Sequence, residues 1–169
     1  MKISIKCRFT DRVLFEGEYE STRHAVIEAV KSRANLYGAN LYGADLSGAD
    51  LSIIKNDVLA EILKLPDEIP FLRAAIAEGR IDGSTYSGEC SCLAGTVAKG
   101  KGLEEYDGDD ISVCDSLVFR ADSDSPRERW FMNIRPGDTP DKSNVAKLTL
   151  EWVDEALAIV ANIRGKAAA

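Results

Sequence analysis

No apolar run in the chain approaches the roughly 18 residues that a membrane span requires, and the amino terminus lacks the apolar stretch and small-residue cleavage site of a signal peptide. A membrane-spanning protein is therefore excluded, and a cytoplasmic location is expected. Basic residues are in deficit: 21 Lys and Arg stand against 28 Asp and Glu, a formal net charge of −7. A nucleic-acid binder working through a basic face is excluded on the same ground, because phosphate contacts need surplus positive charge. There is one histidine, His24, so the commonest general base is missing from most catalytic schemes. The four cysteines, at 7, 90, 92 and 114, are expected as reduced thiols rather than a disulfide framework. No P-loop, glycine-rich cofactor fingerprint or closed set of metal-ligand spacings is present, so no cofactor, no metal and no catalytic group is expected. The one conceivable dyad, Cys90 or Cys92 with His24, is weaker than a reading of all three as packing or capping residues.

What is present begins with a repeat. Residues 33–52 are four tandem five-residue units, Arg-Ala-Asn-Leu-Tyr, Gly-Ala-Asn-Leu-Tyr and twice Gly-Ala-Asp-Leu-Ser, with no gap between them. Leu36, Leu41, Leu46 and Leu51 are the structural repeat positions. Each follows two places after an alanine and directly after an Asn or Asp suited to bonding nearby backbone. The pattern resembles the pentapeptide-repeat family, whose A-(D/N)-L-x-x units wind into a right-handed four-sided β-helix. The resemblance implies one coil, with the leucines and alanines turned to its axis. A stacked-repeat architecture needs several layers to bury its apolar faces, so non-repeat structure or another subunit should cover this one.

The flanking segments supply such cover. Ile3, Ile5, Cys7 and Phe9 alternate with polar residues, and Val13–Glu20 carries Phe15 and Tyr19, so residues 2–20 predict a β-hairpin. Ser21 is the expected cap of a short helix bearing Ala25, Val26, Ala29 and Val30. Beyond the repeats, helices are expected over 57–65 and 70–79, as a compact element after Cys90-Ser91-Cys92, from Ser125-Pro126 with Glu128 completing a capping box, and over 146–164 with Leu148, Trp152, Ala156, Ile159 and Ile163 on one side. The expected class is α+β: a hairpin and helix, one coil of quadrilateral β-helix, and a mainly helical carboxy-terminal region. The expected division is 1–52, with the repeats at 33–52, and 53–169.

Charge gives the functional expectation. Residues 104–124 hold eight carboxylates against one arginine. An acidic segment of this kind is either a solvated surface or a face that attracts a basic protein. The expected partner-binding residues are Glu104, Glu105, Asp107, Asp109 and Asp110. The blocks at 83–96, 128–140 and 146–153 are similar to the carboxy-terminal part of short pentapeptide-repeat proteins of tailed phages and prophages. That resemblance implies a non-enzymatic accessory protein that binds and inhibits a bacterial host protein, a defence or DNA-handling factor. Mimicry of a DNA duplex is not expected, since one coil rises only about 5 Å. The alternative is a sponge for a nucleotide signal, using Arg129, Arg135, Asp138 and Thr139 with backbone donors from 83–96. Self-association is expected from the open ends of the coil and from an apolar stripe around Trp152.

Overall fold

The computed structural model describes residues 1–7, 10–36, 39–40, 50–103, 106–114, 117–119, 121–122 and 124–167. The chain is a mixed α/β protein in two compact units, Met1–Asp50 and Leu51–Ala169. The first unit opens with β1 (Lys2–Lys6) and β2 (Val13–Glu18), paired antiparallel in the register Lys2↔Glu18 to Ile5↔Phe15. Alternation makes this hairpin: Ile5 is buried and Ile3 half-buried, while Lys2, Ser4 and Lys6 face out. Asp11 takes the left-handed conformation at the turn (φ 58), where a short polar side chain is tolerated. Helix α1 (Thr22–Lys31) follows, with the Ser21 Oγ accepting from the His24 amide at 3.2 Å, and it buries Ala25, Val26 and Ala29.

The repeat segment begins on this hairpin. Ala39 bridges antiparallel to Cys7, and the Asn40 amide donates to the Lys6 carbonyl at 2.7 Å, so the start of the second five-residue repeat continues the ladder beyond β1. Ala39 is buried and Leu36 half-buried. Leu41 and Leu46 lie outside the described residues, and with them most of the expected coil. Leu51 belongs to the second unit, at the residue before helix α2 (Ser52–Ile62).

That helix corrects the sequence expectation, which began it at Asp57. An Asp before an apolar run resembles a cap, but Asp57 sits mid-helix and serves a distant partner described below. Helix α3 (Ile69–Ala77) has Pro70 in its first turn and is followed, after its cap Glu78, by Gly79, whose φ of 69 suits glycine. Helix α4 (Leu93–Gly100) follows a loop closed by the parallel bridge between Ile81 and Ser91. Strands β3 (Ile111–Cys114) and β4 (Leu117–Phe119) form a second hairpin within the acidic segment, not anticipated from the sequence. Helices α5 (Pro126–Phe131) and α6 (Asn144–Ala167) complete the chain.

The core of the second unit joins these helices through Ile62, Leu72, Ile76, Leu93, Phe131 and Val153. The buried face of α6 differs from the expected stripe: Val145, Thr149, Trp152, Val153 and Ala156 are inside, whereas Ile163 is 62% exposed. Thr149 is drawn in because its Oγ1 accepts from Trp130 Nε1 and donates to the Val145 carbonyl, each at 2.7 Å. Trp152 packs on Trp130 with centroids 5.0 Å apart. It is core within the unit, so Trp152 itself is not an open apolar surface.

Candidate functional site

The polar centre of the second unit is built by α5. Ser125 stands at its N-cap in extended conformation, its Oγ accepting from the Glu128 amide at 3.3 Å, with Pro126 in the first turn. The capping box is only half made. The Ser125 amide donates to the Asp122 carbonyl at 2.9 Å, and the Glu128 side chain goes inward instead of returning to it. Helical spacing accounts for this, since Glu128 and Arg127 share a face with Phe131 and Trp130 three positions on, and burying the aromatics carries both charged residues in.

Asp57 of α2 receives two donors from one residue. The Arg127 amide reaches one carboxylate oxygen at 2.9 Å and the guanidinium Nη1 reaches the other at 3.0 Å. The Arg127 side chain is 6% exposed and that of Asp57 26%. Glu128 is 4% exposed, and among the described residues its Oε1 has no hydrogen-bond partner. Burial pushes its carboxyl up to about 7; Arg127 pulls the other way, while Asp122, Asp57 and Glu61 add to the rise.

Around this carboxyl lie three further groups. Cys92 caps α4 and is buried; desolvation and then Glu128 push its thiol up to about 12, opposed by the amides at the start of α4. A thiol so placed stays protonated at neutral pH, which makes it a poor nucleophile. Tyr86 and Tyr106 meet edge to face with centroids 6.0 Å apart, and burial raises both phenols, with Cys92 and Glu128 contributing. The loop carrying Tyr86 is tightly seated. A Cβ on Gly83 would lie 2.0 Å from the Phe131 carbonyl oxygen, and one on Gly95 would lie 1.9 Å from that of Tyr86. Lys99 ties down the loop tip, donating to the carbonyls of Gly88 and Glu89 and to Ser91 Oγ. Among the described residues no group of three or more His, Cys, Asp or Glu could hold a metal ion.

The acidic segment adjoins this cluster. Glu104 and Glu105 lie outside the described residues. Asp107, Asp109 and Asp110 are exposed and precede β3; Asp122 and Asp124, also exposed, follow β4. The antiparallel register pairs Ile111 with Phe119, both buried, so the two acidic flanks leave the hairpin at its anchored end. Asp110 contributes to raising Tyr106 and Asp122 to raising Tyr86, which places both flanks beside the tyrosine pair. Asp107 and Asp122 each accept from the amide two residues on, at 3.3 and 3.0 Å, and so fix the local turns.

Three of the four residues considered for a small molecule make local side-chain bonds. Arg129 Nη2 meets Asp124 at 3.2 Å. The Asp138 carboxylate accepts from the Arg135 amide at 2.9 Å, and Thr139 Oγ1 donates to Asp141. Arg135 is exposed beside a turn that the Gly137 amide secures to the Gly79 carbonyl at 2.8 Å. This is the geometry of a structural turn.

Sequence reasoning used Glu128 only as a cap. The signal that would have found it is the same helical spacing from Phe131, applied to a charged residue. Among the described residues no helix is long and apolar enough to cross a membrane. Neither a curated protein nor a solved structure matches the chain. Residues 28–52 match the family model described as Pentapeptide repeats (8 copies), a match that starts in the last turn of α1 and ends at the first residue of α2.

Proposed function

We propose that this chain is a non-enzymatic binding protein that engages a basic surface of a bacterial host protein through the acidic end of the β3–β4 hairpin. The observation that carries the reading is the convergence of five exposed aspartates, at 107, 109, 110, 122 and 124, on the end of the hairpin that Ile111 and Phe119 anchor. A cluster of acidic side chains steers association and sets register against a complementary face. The family match over 28–52 supports a scaffold role for the repeat segment at 33–52. The likeness to short phage proteins adds the setting, an accessory protein acting in the host cytoplasm. The local commitments of Arg129, Asp138 and Thr139 leave the nucleotide-sponge reading without comparable support.

The test is affinity capture from bacterial lysate at low and high salt, with wild type beside a variant carrying Asp→Asn at all five positions. A host protein retained by wild type, lost by the variant and released as ionic strength rises supports the reading. Equal retention by both forms overturns it.

A further inference from the structure

We propose that Glu128 is a proton-operated latch on the packing of α5: protonated, it lets α5 seat against α2 and the 82–92 loop, and ionised, it loosens that seat. The position is crowded with acidic groups, the carboxylates charged and the thiol and phenols neutral at neutral pH. Asp57 and Glu61 approach from α2, Asp122 from the turn before α5, and the thiol of Cys92 and the phenols of Tyr86 and Tyr106 from the α4 cap, the loop and the segment before β3. Lys64 faces Glu61 at 2.6 Å and donates to the Val118 carbonyl. Among the described residues a cation beside Glu128 is Arg127, whose guanidinium bonds one oxygen of Asp57 while its backbone amide bonds the other. Ionising a carboxyl that is 4% exposed, with Oε1 lacking a partner among the described residues, adds a further negative charge to a dry site.

The contacts that would yield are those α5 makes with its neighbours. Arg127 joins it to α2, and the Gly83 amide donates to the Ile134 carbonyl at 3.1 Å, just after α5, in a fit with no room for a Cβ. Through Gly83 the loop carries Tyr86, and Tyr86 rests on Tyr106 beside the acidic flank. Proton loss at one buried carboxyl is thereby connected to the order of the loop and the hairpin end. This inference is independent of what binds the acidic face.

Trp130, two residues from Glu128 and packed on Trp152, reports on the seat. Tryptophan emission and amide exchange of 82–92 are followed in the full chain from pH 5.5 to 8.5. The expected result is a red shift in wild type with a midpoint near 7, exchange at 82–92 accelerating beyond its intrinsic pH dependence, and loss of both effects in Glu128→Gln. A flat wild-type profile, or the same transition in Glu128→Gln, overturns the latch; the latter would assign it to another group. Should Glu128→Gln fail to fold, the carbon-detected titration of Glu128 in wild type decides. A midpoint near 7 moving together with 82–92 exchange supports the latch, and one near the ordinary glutamate value refutes it.

Discussion

Replacing Asp57 should unseat α5 from α2, and the size of the effect follows from the geometry. Asp57 accepts from the Arg127 amide at 2.9 Å and from its guanidinium at 3.0 Å, with the arginine side chain 6% exposed. The amide belongs to the second residue of α5, one of the donors that a helix start cannot satisfy internally, so Asp57 caps one helix from the side of another. Breaking a buried pair by removing one partner costs about 3–5 kcal/mol, because the remaining charge is left uncompensated. Asp57 is about a quarter exposed, which allows water to replace part of what is lost, and without it Arg127 can turn to Glu128. Asp57→Ala is therefore expected near the lower end, about 3 kcal/mol, a large fraction of the 5–15 kcal/mol typical of a domain. Asp57→Asn keeps an acceptor and should cost roughly half as much. Urea unfolding followed by tryptophan fluorescence measures this, with the midpoint moving and the m-value unchanged. An Asp57→Ala variant within about 0.5 kcal/mol of wild type would falsify the clamp, since that is the range of a surface substitution away from such features.

Three further outcomes are expected. Gly95→Ala should cost about 1–3 kcal/mol by urea unfolding, since its Cβ would meet the Tyr86 carbonyl oxygen at 1.9 Å and backbone must shift to admit it; a neutral result would contradict the tight seating of the loop. The contribution of Glu128 to wild-type stability should fall as pH rises. The folded-state value of Glu128 is raised from 4.5 to about 7, so its contribution is fully present below 4.5 and is lost as pH climbs through about 7, a change on the order of 3 kcal/mol that Glu128→Gln removes. Under native conditions a thiol reagent should modify the exposed Cys114 quickly and the buried Cys92 only in denaturant, as peptide mapping would read.

Much of the fold was legible because its signals are local. The alternation around Ile3 and Ile5, the Ser21 cap, and Ser125 followed by Pro126 each act within one or two turns of chain, and each is found where those residues place it. The failures are tertiary. Asp57 looks like a helix start and is instead the acceptor for a residue 70 positions away. The buried face of α6 is set by Thr149 meeting Trp130, a pairing that periodicity within α6 cannot contain. The β3–β4 strands are four and three residues long and lie in a run of aspartates, so composition masks their alternation. The buried Glu128 was hidden by its own adequacy as a capping residue, which accounted for it without reference to its surroundings.

Both tryptophans, Trp130 and Trp152, belong to the second unit, whereas the sole histidine, His24, stands on α1 of the first with its ring 5.7 Å from Tyr19. Each unit thus carries a natural probe that the other lacks. Indole emission follows the melting of Leu51–Ala169 alone, and the imidazole proton resonances follow Met1–Asp50, in one unlabelled sample. Coincident curves would mean that the repeat segment transmits cooperativity along the chain, and separate curves would make the pentapeptide region and the acidic region two independently melting parts of one polypeptide.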